Sequence, residues 1–201
     1  MFDMTEHERF IFDLFKDDGN CIWNDEKNYF YIPNGTETGY IRFYGDKMME
    51  LEVYEGNKKI PSFYLQFALV SKTSARGYFQ SFFNYLLKKG DQNRHVEHVE
   101  FKNANKILFT CTCGASSSYF ATQMQEKVDP EKKDIIFDAC ANTLLDEVQQ
   151  GYDLIVLMPQ INYKQKEYIE KYGDKVISAN TQDVATRNLD NILHQILTVT
   201  S

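Results

Sequence analysis

Basic residues are in deficit in this chain: 22 Lys and Arg stand against 29 Asp and Glu, a formal net charge of −7 over 201 residues. The deficit runs through both halves, with nine basic and thirteen acidic residues from Asn105 onward. A nucleic-acid binder needs a basic face that releases counterions from phosphates, so the balance argues against that class. Long apolar runs are also missing. No stretch approaches the roughly 18 consecutive apolar residues that span a bilayer, and Met1-Phe2-Asp3-Met4-Thr5-Glu6 lacks the basic and apolar regions of a secretory signal. These absences predict a cytoplasmic protein. Cysteine is scarce: Cys21, Cys111, Cys113 and Cys140 are too few and too irregularly spaced for a disulfide framework, and are expected as free thiols. There is no internal repeat and no low-complexity segment.

What is present is unevenly distributed. Twelve of the 15 Phe, eight of the 13 Tyr and the single Trp lie at or before Phe101. The shift predicts two domains, an aromatic-rich α+β domain over residues 1–100 and a second domain over 105–201, joined through the polar stretch Lys88–Asn105. In the first, Thr5 and Glu8 form a capping box ahead of a helical run containing Phe10, Ile11, Leu14 and Phe15. Strands are predicted at Cys21–Trp23, Tyr29–Ile32, Tyr40–Phe43, Met48–Tyr54 and Phe63–Val70, separated by Gly- and Asn-containing turns. A second helix is predicted over Ser74–Lys89, giving a mainly antiparallel sheet covered by helices.

The second half alternates. Strands are predicted at Lys106–Thr110, Asp134–Asp138, Asp153–Met158 and Lys175–Ser178. Helices are predicted at Ser116–Lys127, Asn142–Gln149, Tyr163–Tyr172 and Asp183–Leu197. Short apolar runs between amphipathic helices indicate an α/β domain, a four-stranded parallel sheet with helices on both faces. Ligands in such sheets sit beyond the carboxyl ends of the strands, which points to the loops after Thr110 and Met158.

The loop after Thr110 reads Cys111-Thr112-Cys113-Gly114-Ala115-Ser116-Ser117-Ser118 and opens a helix. Free backbone N–H groups and the helix dipole favour an anion there, and Gly114 lets the chain wrap closely around it. The three serines add hydroxyl donors, with Ser116 the best placed to meet an anion. The same field favours a thiolate, the nucleophilic form of cysteine. No metal or cofactor is required.

The segment KILFTCTCGASSSYFATQM resembles the active-site segment of the sugar-phosphotransferase enzyme IIB of the lactose/cellobiose/chitobiose type. The family has a strand ending in Cys, two small residues, Gly, one residue, and a Ser/Thr-rich helix start. YDLIVLMPQINYKQKEY resembles the family's third strand and the Pro-Gln that follows it. The resemblance spans about 97 residues, Asn105 to Ser201. It departs at Cys113, where a small residue without a thiol is usual. It implies that Cys111 is the phosphorylated nucleophile, that Thr112 to Ser118 bind the phosphoryl group through backbone amides, and that Pro159 and Gln160 lie on a facing loop. It further implies a phosphotransferase with two partners: a IIA phosphohistidine as donor and a membrane IIC permease holding the sugar. The protein would then work in the cytoplasm, at the membrane through IIC. A regulatory or sensor protein, reporting phosphorylation state through residues 1–100, is the alternative.

Other readings of the same residues remain open at this point. A tyrosine-phosphatase-like loop needs an Arg six residues after the Cys, where this chain has Ser117. Cys111 and Cys113 with His95 and His98 would be a soft-metal set only if the linker folds onto the loop. Cys111 is also compatible with simple packing at a strand end. Cys21 and Cys140 read as packing residues, and Arg76 as a solvated or anion-facing cation.

Overall fold

A computed structural model of the chain describes residues 4–88, 104–128 and 135–200. The chain divides into two compact units, Met1–Gln92 and Asn93–Ser201. His95 and His98 lie outside the described residues, as does His95–Phe101, whose alternating sequence is compatible with a short strand.

In the first unit, α1 (Glu6–Phe15) starts at a capping box: the Thr5 hydroxyl accepts from the Glu8 N–H, and the Glu8 carboxylate accepts from the Thr5 N–H at 2.8 Å. Five strands follow, β1 (Ile22–Asn24), β2 (Tyr29–Asn34), β3 (Glu37–Gly45), β4 (Met48–Glu55) and β5 (Phe63–Ala68), paired antiparallel in chain order. β3 begins earlier than the apolar pattern suggests, because Gly35 at φ +64° closes a tight turn that pairs Asn34 with Glu37. α2 (Lys72–Leu86) packs on the sheet with α1. Alternation sorts the strands: Phe30, Ile41, Phe43, Met49, Leu51, Val53, Phe63 and Leu65 are buried. Gly39 permits the close approach of α2, since a Cβ there would lie 2.8 Å from atoms of Phe82 and Leu86.

The opposite face of that sheet is polar and aromatic. Arg42 donates to Glu52 at 2.6 Å, and its guanidinium lies over the rings of Tyr29 and Tyr40. The Glu50 carboxylate accepts from Tyr44 at 2.6 Å and Tyr64 at 2.5 Å, and Tyr54 donates to Glu52. Two carboxylates under a layer of tyrosines are buried yet fully hydrogen-bonded, which is the condition for burying such groups at all.

The second unit is a parallel sheet of β6 (Lys106–Cys111), β7 (Ile136–Ala141), β8 (Leu154–Leu157) and β9 (Val176–Ser178) in the order β7-β6-β8-β9. Both faces are covered. One core joins Ile107, Phe109, Val156 and Met158 to α3 (Ala115–Lys127) and to the C-terminal helices. The other joins Leu108, Ile155 and Leu157 to Leu145 and Tyr168, which stand on the short α4 (Leu145–Val148) and on α5 (Gln165–Tyr172). Three helices differ from their sequence reading. The run at Asn142–Gln149 holds a single α-helical turn, α4, flanked by 3-10 turns. The helix expected from Tyr163 begins at Gln165, after a 3-10 turn over Pro159–Lys164. The expected Asp183–Leu197 helix is two, α6 (Thr181–Thr186) and α7 (Leu189–Thr200), broken at Arg187 with φ +56°. Each half has its own asparagine: Asn180 accepts from the N–H groups of Gln182 and Asp183, and Asn188 from that of Asn191. Two local caps outcompete one continuous helix. Among the described residues no helix is long and apolar enough to cross a membrane.

Candidate active site

β6 is the pivot of the parallel sheet, paired with β7 on one side and β8 on the other. The connections that follow β6 and β8 run to opposite faces, to α3 on one and α5 on the other, and such a point opens a crevice. Cys111 is the last residue of β6 rather than the first of the loop, and only 2% of it is exposed. The chain then turns through Gly114, at φ +89°, directly into α3. A side chain at Gly114 would be strained by that φ, and its Cβ would lie 3.5 Å from the Ala141 nitrogen.

The turn brings two groups to the sulfur. The Gly114 N–H donates to Cys111 Sγ at 3.1 Å. Ser117 is fully buried, with Oγ 3.3 Å from Sγ. Its hydroxyl donates to the Gly114 carbonyl at 3.0 Å and also comes within 3.3 Å of the Cys140 carbonyl. A hydroxyl has one proton, so with that proton on a carbonyl its lone pairs face the thiol. Ser117 therefore lies beneath the sulfur, on the core side.

The remaining loop residues face outward. Thr112, Cys113, Ala115 and Ser118 are exposed, and Ser116 is half-buried. The Ser118 N–H already donates to the Gly114 carbonyl within the helix, which leaves the amides before it at the helix start. Pro159 and Gln160 follow β8 and adjoin this loop: the Met158 N–H donates to the Thr110 carbonyl, and Gln160 Nε2 lies 3.5 Å from Ser116 Oγ. Gln160 Oε1 is buried without a partner, as are Asn162 Oδ1 in the same turn and Ser178 Oγ at the end of β9. Asn162 and Ser178 were not singled out from sequence. Their signal was positional, a polar residue at the carboxyl end of a strand. Tyr163 is exposed.

Of the other three thiols, Cys21 and Cys140 are shifted towards the protonated form. Burial pushes Cys21 up to about 11, helped by Asp18. Burial also raises Cys140, whose sulfur sits 3.7 Å from the Thr110 hydroxyl. No group of three or more His, Cys, Asp or Glu is placed to hold a metal among the described residues.

Residues 106–195 match the family model of the PTS system, lactose/cellobiose specific IIB subunit. That span is a IIB domain of the lactose/cellobiose type. IIB domains are phosphotransferase components, and the type implies phosphoryl transfer in sugar transport. Among solved structures, the lactose-specific IIB component domain of the phosphoenolpyruvate:carbohydrate phosphotransferase system from Streptococcus pneumoniae is similar at 21% identity and a TM-score of 0.43. The similarity covers 50% of this chain and 100% of that one. No curated protein matches the chain. The residues before Lys106 lie outside the family match, so the IIB domain occupies the second compact unit.

Proposed function

We propose that the IIB domain is a phosphoryl carrier acting through Cys111 in sugar uptake, as the second of two domains in a cytoplasmic protein. The observation that supports this reading is the placement of one thiol at the carboxyl end of the central strand, beneath the start of α3, with the Gly114 N–H directed at its sulfur. In the first step Cys111 Sγ attacks the phosphorus of a IIA phosphohistidine. An S–P bond forms as the N–P bond breaks, and the thiol proton passes to the freed imidazole nitrogen. In the second, a hydroxyl oxygen of a sugar held by the IIC permease attacks the same phosphorus. An O–P bond forms, the S–P bond breaks, and the hydroxyl proton returns to the thiol.

At 2% exposure the sulfur must be uncovered before it meets a donor, and on this reading the loop of Thr112, Cys113 and Gly114 is the segment that moves. The transferred oxygens would then meet the amides at the start of α3 and the Ser116 hydroxyl, oriented by Gln160. Fixed donors of this kind stabilise the spread charge of a phosphoryl group in flight without reorganising. Ser117, under the sulfur, accepts from the thiol in one state and donates to the anionic sulfur in the other.

The test is phosphoryl transfer from labelled phosphoenolpyruvate through enzyme I, the histidine phosphocarrier and a panel of IIA proteins. Thiol-linked label that is lost in Cys111→Ser and kept in Cys113→Ser supports the carrier. Absence of label from folded protein with every IIA overturns it. A second reading, regulation, draws on the half of the chain outside the family match. It predicts that label on Cys111 changes what residues 1–100 bind, with no sugar phosphate formed.

A further inference from the structure

The first unit contains a groove that the carrier chemistry does not use. It runs between α1 and α2, has a volume of ≈ 490 Å³, and is lined by Phe10, Leu14, Phe15, Phe79 and Phe83, with Lys72 and Arg76 among its polar residues. That volume is in the range of small-molecule sites, roughly 300–1,000 Å³. Leu14 is 55% exposed and Phe10, Phe15 and Phe83 are only half-buried, so the apolar lining is left facing solvent.

The two ends of the groove differ. At one end Lys72 Nζ lies 4.2 Å above the Phe10 ring, and Arg76, one turn further along α2, is exposed on the same helix face. Neither cation has a carboxylate partner among the described residues. At the other end Phe15 packs against Phe79 and Phe83 at 5.7 and 5.6 Å, and no charged residue lines that part. From Lys72 to Phe83 is about 16 Å at 1.5 Å per residue, the reach of an alkyl chain of about ten to twelve carbons. In a chain of net charge −7, two unpaired cations beside solvent-facing aromatics form a local exception.

We infer that this groove binds a single-chain anionic amphiphile, an alkyl carboxylate in the simplest case, with its head on Lys72 and Arg76 and its tail along Leu14 towards Phe83. The tail removes exposed apolar surface from water, and the head supplies the missing counter-charge. The inference is independent of Cys111 and of the carrier reading. The first unit thereby becomes a ligand-binding module joined to a IIB domain.

Calorimetric titration of the full chain with sodium dodecanoate below its micellar concentration tests this. Dodecyl phosphate, decanol, acetate and anionic phospholipid vesicles are the comparison ligands. The expected result is one saturable site per chain for the dodecanoate, at least tenfold weaker binding of decanol, and none of acetate. Lys72→Ala with Arg76→Ala should weaken dodecanoate at least tenfold. So should Leu14→Glu, an exposed position whose change leaves the fold intact. No saturable binding by either dodecyl anion overturns the inference. So does affinity unchanged in both variants, binding to vesicles but not to monomeric amphiphile, or a chain that dimerises through the groove and is monomeric only as Leu14→Glu.

Discussion

The two sheets solve the problem of polar groups in opposite ways. In the antiparallel sheet β1–β5, period-2 alternation sends one set of side chains under α1 and α2 and leaves a second face. There Glu50 and Glu52 are 6% and 7% exposed and are held by Arg42 and three tyrosine hydroxyls. The parallel sheet has no such second face. Leu154, Ile155, Val156 and Leu157 are all buried, because helices cover both sides. A sheet sandwiched in this way gathers polar and thiol side chains at its carboxyl edge, where Cys111, Gln160 and Ser178 stand. A sheet covered on one side can keep a polar layer in its middle, provided that the layer is hydrogen-bonded internally.

Core truncation breaks the comparison most severely. Phe109→Ala, in the middle of β6, should destabilise the second unit by about 3–5 kcal/mol. Urea unfolding followed by hydrogen exchange would show that loss in β6–β9, with β1–β5 little changed. Glu50→Ala should cost less, about 1–3 kcal/mol, because the hydroxyls of Tyr44 and Tyr64 lose a buried acceptor. If Glu50→Ala proved neutral, the polar layer would be decoration rather than structure.

Alkali sharpens the same contrast. Burial first, and then the bond to Glu50, pushes Tyr44 up to about 12 from an ordinary value near 10. The folded state therefore keeps this proton at a pH where the unfolded chain loses it. The stabilisation is full below about pH 10 and lost as pH rises through about 12. Tyr64, also bonded to Glu50, is raised in the same direction. Denaturation midpoints measured between pH 9 and pH 12 should fall for the parent chain and fall less for Tyr44→Phe with Tyr64→Phe. The smallest effect is expected at the β3–β4 turn, where Asp46 and Lys47 both have positive φ. Lys47→Gly should stabilise the first unit by about 0.4–1 kcal/mol, read as a shift in its thermal midpoint.

Much of this architecture was legible in the residues. The Thr5–Glu8 box marked the start of α1 to the residue, because a cap is a local bond. Alternation located β2 to β5, and the apolar runs of the second half located four parallel strands. What failed to show was decided by competition. The spacing of Val184, Leu189, Ile192, Leu193, Ile196 and Leu197 suggested one helix from Asp183 to Leu197, whereas Asn180 and Asn188 each cap a separate one. The groove between α1 and α2 was hidden for another reason: Phe10, Leu14, Phe79 and Phe83 read as ordinary core at helical spacing, and only the packing shows which of them stay uncovered. At the carboxyl edge, the loop composition pointed to Cys111 but not to Ser117's place beneath it. That depends on the Cys140 carbonyl, which β7 contributes from a distant part of the chain.

Cys111 belongs to the same buried cluster as Phe109, Phe120 and Met124, so the proposed nucleophile is also a packing atom. A phosphoryl group added there on the proposed reading needs room that this cluster does not leave, so the loop of Thr112, Cys113 and Gly114 and the α3 that follows it would yield together. The chemical state of one atom would then become a mechanical state of a thirteen-residue helix. Under that reading, reciprocity would require a protein gripping α3 to alter how readily the sulfur is charged or discharged, by the same free energy. A partner at that helix would feel the load the domain carries without touching it.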